Sequence, residues 1–144
     1  CELAAFYKAE GKTLWDAMKE MYERYGFYKE GMSFVTLKGI DGAKEIKQRM
    51  EEMRRKPKES LGGHKVLAVR DYAEGTRKYL SCGKVTPAGL PKSNVLYYEL
   101  SDGAWCCARP SGTEPKIKFY CGVRGKTLED AAEQLKALQE DLEK

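Results

Sequence analysis

The chain has 144 residues, 42% hydrophobic and 33% charged, with a net charge of +4. That composition is enough for a real core in one compact domain, and its charge suits an anionic ligand but falls short of what nucleic acid demands. No apolar run approaches the ~20 residues of a membrane span, and the N-terminus lacks a signal-peptide pattern, so no membrane partner and a cytoplasmic location are expected.

Cys1 at the start, in place of methionine, suggests a piece excised from a longer polypeptide. Residues 1–10 read as the tail of an earlier helix. A helix is predicted over 14–25, with Thr13 and Asp16 as a capping box, Gly26 at its end, and Leu14, Met18, Met21, Tyr22 and Tyr25 on one face. The expected division is 1–25 as the end of a preceding domain plus linker, and 26–144 as the main domain. A strand is predicted from Met32 to Leu37, ended by Gly39. A helix from Asp41 to about Arg55 follows, with Ala43, Ile46, Met50 and Met53 inward and Glu45–Arg49 and Glu51–Arg55 as surface pairs.

Val66 to Val69 reads as a buried strand running out to Arg70, Asp71 and Tyr72, with Arg70 and Asp71 in a surface pair. Residues 73–93 are polar and rich in glycine and proline, which predicts a long irregular connection. Val95 to Leu100 and Ala104 to Ala108 flank Ser101-Asp102-Gly103, a strong hairpin signal. Tyr97, Tyr98 and Trp105 on those strands are expected to pack across them. Ile117, Phe119, Cys121 and Val123 alternate with polar neighbours as a half-buried strand. Thr127 and Asp130 cap a last helix whose inner face runs from Leu128 to Leu142. Two amphipathic helices on one face of a mostly antiparallel sheet is the economical α+β arrangement.

The five cysteines (1, 82, 106, 107 and 121) lack C-x-x-C spacing and read as reduced, mostly buried thiols. His64 is the sole histidine and reads as a solvated or structural residue. Neither pattern supplies a metal site.

The run from Arg109 to Tyr120 carries the chemistry. Arg109, Ser111, Gly112 and Thr113 place one guanidinium, two hydroxyls and a glycine within five residues, with Lys116 and Lys118 just beyond. Pro110 and Pro115 stiffen the segment, and Gly112 is free to adopt positive φ. A planar fork, hydroxyl donors and bare backbone N–H groups suit a dianionic phosphate. Glu114 opposes this unless it turns away or pairs with a lysine. The same residues also make a plain surface turn, and composition alone leaves both readings open.

The run Arg109 to Tyr120 resembles the C-terminal phosphate-binding loop of the α-D-phosphohexomutases. Gly11 to Leu14 with Tyr25 to Lys29, Gly63 to Val66 with Asp71 and Tyr72, and Ser93 to Leu96 before Asp102 and Gly103 resemble other segments of the family, in its order. The resemblance implies a four-stranded, mainly antiparallel sheet with two helices on one face, like that of the TATA-binding protein. It implies that Arg109, Ser111, Gly112 and Thr113 contact a sugar phosphate, and that Lys118 stands where many relatives carry arginine. It further implies a parent enzyme that interconverts hexose 1- and 6-phosphates through a bisphosphorylated sugar, with Mg²⁺ beside a phosphoserine. The phosphoserine loop, the aspartate-rich metal loop and the sugar-reading loop do not occur here. No catalytic residue, metal ligand or cofactor is therefore expected in this chain, and alone it should be inactive. The alternative is a non-catalytic basic module that binds nucleic acid or a phosphorylated partner.

Overall fold

A computed structural model describes residues 1–37 and 41–144. Two helices open the chain, α1 (Glu2–Ala9) and α2 (Leu14–Tyr25). The capping box closes from both sides: Asp16 N–H donates to Thr13 Oγ1 at 3.1 Å, and Thr13 N–H to Asp16 Oδ2 at 3.0 Å. Both bonds satisfy donors near the helix start. The apolar face of α2 is not a core face, however. Leu14, Trp15, Met18, Met21 and Tyr25 are exposed, as are Leu3 and Phe6 of α1. Tyr22 stacks on Phe27 at 5.6 Å, linking α2 to the first strand.

Eight strands follow: β1 (Phe27–Thr36), β2 (Ser60–Leu61), β3 (His64–Asp71), β4 (Thr76–Tyr79), β5 (Val85–Pro87), β6 (Leu96–Leu100), β7 (Trp105–Pro110) and β8 (Lys116–Gly125). They form one antiparallel sheet in the order β1-β8-β7-β6-β3-β4-β5, with β2 beside β3. The α+β class holds, but the sheet has eight strands where four were expected. β4 and β5 lie inside the segment read as irregular. β4 has four residues, two of them basic, and the edge strand β5 has three and ends in Pro87. Neither is long enough to show an apolar alternation, and a short strand with proline blunts the sheet edge. β1 also starts at Phe27, five residues before the predicted Met32. The expected stop at Gly39 lies outside the described residues.

Two helices, α3 (Gly42–Arg55) and α4 (Leu128–Glu143), cover one face of the sheet. Ile46 and Met50 from α3 join Leu135 and Leu138 from α4 in a single core with Tyr98 and Phe119. Phe119 is wholly buried, which stabilises the fold by roughly 1.5–3 kcal/mol. Gly62, at φ 55°, lets α4 come close: a Cβ there would lie 2.5 Å from the Leu138 Cα. Ala43, expected inward, is exposed.

The expected pairs Glu45–Arg49 and Glu51–Arg55 are absent among the described residues. Arg49 instead donates to the Leu142 and Glu143 carbonyls at 3.1 and 2.8 Å. The last carbonyls of α4 lack helical partners, so a cation reaching them gains a bond and a favourable dipole contact.

β6 and β7 form the predicted hairpin, closed by a single 3₁₀ turn over Ser101–Gly103. Asp102 and Gly103 take φ of 60° and 76°, the left-handed region that Asp-Gly tolerates. Among the described residues, no helix packs on the other sheet face.

Candidate functional site

The candidate site is the loop between β7 and β8 with the strand ends that flank it. Strand alternation sends Cys106, Ala108, Ile117 and Phe119 to the buried side and leaves Cys107, Arg109, Lys118 and Tyr120 on the open face. Arg109 and Lys118 are direct cross-strand partners. Arg109 is exposed and Lys118 half-buried. Among the described residues, neither meets a carboxylate within ion-pair distance.

Short bonds pin the loop at its base. Ser111 N–H donates to the Lys116 carbonyl at 2.8 Å, Lys116 N–H to the Glu114 carbonyl at 2.7 Å, and Leu37 N–H to the Pro115 carbonyl at 2.9 Å. No backbone bond among the described residues uses the N–H groups of Gly112 and Thr113. Gly112, Thr113 and Glu114 are all exposed. Gly112, though free to adopt positive φ, does not use that freedom. A Cβ at that position would meet no atom within 4 Å, so the glycine contributes an unshielded backbone rather than a special turn.

Glu114 is the one acid in the loop, and its Oε1 lies 3.1 Å from Lys116 Nζ. The pairing that the sequence left open is thus made. Lys116 also lies over the Phe34 ring, 5.3 Å from its centre. The structure brings Arg109, Ser111, Gly112, Thr113 and Lys118 into one loop and its two strand ends. Chemically, that is a concentration of donors and positive charge with no nucleophile–base pair.

Sequence reasoning missed a brace behind the loop. Arg54 Nε bonds Asp71 Oδ2 at 3.0 Å, and its Nη2 bonds Asn94 Oδ1. Asp71 also accepts the Ala73 N–H at 2.9 Å. A groove of about 550 Å³ runs between this brace, α3 and the loop, reaching Asn94, Ser111 and Gly112. No sequence signal marks these partners, because Arg54 and Asn94 are 40 residues apart.

Arg70 and Asp71 do not pair, since adjacent strand residues point to opposite faces. Arg70 turns to the open face and bonds Glu99 at 2.5 Å, and Arg77 bonds the same carboxylate. Burial pushes the Glu99 carboxyl up, but the bonds from Arg77 and Arg70 outweigh it and hold it below 4.5. Next to this cluster Tyr97 and Trp105 stack at 5.7 Å, nearly parallel at 10°. A Cβ on Gly122 would lie 2.3 Å from Trp105 Nε1, so only glycine admits the indole there. Tyr98, grouped with them by sequence, faces the core instead.

All five cysteines are free, with Cys106 and Cys121 buried, Cys107 half-buried, and Cys1 and Cys82 exposed. The expectation of mostly buried thiols therefore fails at Cys1 and Cys82. Burial pushes Cys106 well up and Cys121 up to about 12. Cys107 is also raised by burial, against a lowering pull from Arg109. His64 is buried, with Nδ1 3.7 Å from Asp102 Oδ2.

Among the described residues, no cluster of three or more His, Cys, Asp or Glu side chains is placed to hold a metal ion. None of the described helices is long and apolar enough to cross a membrane. A separate cavity of about 320 Å³ opens between the ends of α3 and α4. Its Arg49 and Lys58 donate to α4 carbonyls and its Lys144 lies 3.3 Å from Asp141 Oδ1, while Arg55 and Lys56 also line it.

No family model matches the chain. It is 35% identical over 135 residues to the phosphoglucomutase of Staphylococcus aureus strain bovine RF122 / ET3-1, covering 94% of this chain and 24% of that protein. It is 34% identical over 128 residues to the phosphoglucomutase of Staphylococcus haemolyticus strain JCSC1435, covering 89% of this chain and 23% of that protein. The chain thus spans about a quarter of the length of the curated relatives it matches. Over nearly its whole length the chain is thus similar to one segment of these phosphoglucomutases.

Proposed function

We propose that the chain is the C-terminal, phosphate-gripping domain of a phosphoglucomutase- or phosphomannomutase-type enzyme. Arg109, Ser111, Gly112, Thr113 and Lys118 hold the phosphate of a hexose phosphate or bisphosphate at the end away from the reacting group. The single observation that carries this reading is the cross-strand pair Arg109 and Lys118 beside loop N–H groups that no described residue engages. A protein that places two cations opposite each other with no acid between them accepts a local cost, and a bound dianion offsets it.

In this reading residues 1–25 belong to a preceding domain and linker, and 26–144 form the phosphate-binding domain. The exposed apolar residues of α1 and α2 support that division, since about three-quarters of the relatives' length lies outside the matched segment and a counterpart of it would cover them. The parent enzyme, cytoplasmic in this reading, interconverts hexose 1- and 6-phosphates through a bisphosphorylated sugar. Mg²⁺ would act in the parent beside the reacting phosphate. Among the described residues, no group of three or more His, Cys, Asp or Glu side chains is placed to hold it. Binding and release of the distal phosphate are this domain's share.

The rival reading, a basic sheet for nucleic acid, needs free cations and open rings on the uncovered face. Arg109 and Lys118 lie on that face, but Arg70 and Arg77 are bound to Glu99 there, and Tyr97 and Trp105 stack on each other rather than standing open to bases. Calorimetric titration with glucose 1,6-bisphosphate and with a short DNA duplex, each at low and high salt, separates the two. Saturable binding of the sugar bisphosphate, weakened in Arg109→Met, is expected. Tighter binding of DNA that collapses with salt would favour the rival.

A further inference from the structure

We propose that Lys116 is a positioning residue that restrains Glu114 and so keeps the loop receptive to phosphate. This rests on the phosphate-binding reading above. Glu114 is the only carboxylate between Arg109 and Lys118, and it sits one residue beyond Thr113. Left unrestrained, it competes for Arg109 and Lys118 and repels an incoming dianion.

Lys116 is built to prevent that. Its N–H and carbonyl bond Glu114 and Ser111, so its backbone fixes both arms of the loop. Its ammonium lies 3.1 Å from Glu114 Oε1 and over the Phe34 ring, with 28% of the side chain exposed against 51% for Glu114. The lysine is thus held by packing on β1, while the acid has no other described partner. The restraint runs from the sheet, through Lys116, to Glu114. Lys116 itself need not touch the phosphate.

A double-mutant cycle in the 144-residue chain tests this, read as the Kd for glucose 6-phosphate by NMR titration. Lys116→Met keeps the apolar stem on Phe34 and removes the charge. It should weaken binding about tenfold when Glu114 is present, and by less than about twofold in the Glu114→Gln background. Lys116→Arg should restore most of the affinity, because the cation is restored. Equal losses in both backgrounds would mean that Lys116 is merely a nearby positive charge, and would overturn the proposal. Failure of the underlying reading looks different: the unmodified chain and Arg109→Met would then bind glucose 6-phosphate equally.

Discussion

Arg109 on β7 and Lys118 on β8 stand directly opposite each other on the uncovered face of the sheet, with no described carboxylate between them. Like charges in that position destabilise a sheet by a few tenths of a kcal/mol up to about 1 kcal/mol. Arg109→Met should therefore raise the denaturation midpoint slightly while lowering phosphate affinity roughly ten- to a hundredfold, the loss of a charge-assisted bond. Chemical denaturation and a phosphate titration on one pair of proteins check both halves. A variant that is less stable, with affinity unchanged, would mean that the arginine is structural.

Glu99 sets an acid limit on the fold. Its carboxyl is held below the ordinary 4.5 by Arg77 and Arg70 in spite of burial. A depressed carboxylate contributes stability in full above its unfolded value and loses it as pH falls through the folded one. Glu99→Gln should cost on the order of 1–3 kcal/mol at neutral pH, because two half-buried guanidinium groups lose their partner. It should also flatten the loss of stability as pH falls below the ordinary 4.5. Denaturant midpoints across that range test this, and parallel curves for the two proteins would contradict it.

Cys107 offers a built-in reporter for the loop. Burial raises its thiol and Arg109 pulls it back down, so its reactivity follows the charge on that guanidinium. Phosphate bound at Arg109 should slow alkylation of Cys107 severalfold, while the exposed Cys1 and Cys82 react at unchanged rates. Cys106 and Cys121 should react only on unfolding. Mass-resolved alkylation with and without glucose 6-phosphate reads all five positions. A Cys107 rate indifferent to ligand would place the phosphate elsewhere.

What was legible in the sequence was local. The alternation of Ile117, Phe119, Cys121 and Val123 announced β8, and Thr127 with Asp130 announced the start of α4. The Asp102-Gly103 pair announced the hairpin, and the loop residues lie together because they are consecutive. What was hidden is long-range or unpatterned. β4 and β5 are short and polar, so no period marks them. Arg54 reaches Asp71 and Asn94, and Arg70 reaches Glu99, across 17, 40 and 29 residues, which no local rule connects. The apolar stripe of α2 correctly signalled a helix with a face to bury. Periodicity does not say which surface covers it, and among the described residues none does.

The most direct measurement of the central claim is residue-resolved: backbone amide shifts of the chain titrated with glucose 6-phosphate. The account predicts saturable shifts centred on Arg109, Ser111, Gly112, Thr113 and Lys118, with α1 and α2 silent. Silence at those five amides under saturating ligand, or shifts centred on another surface, would contradict it.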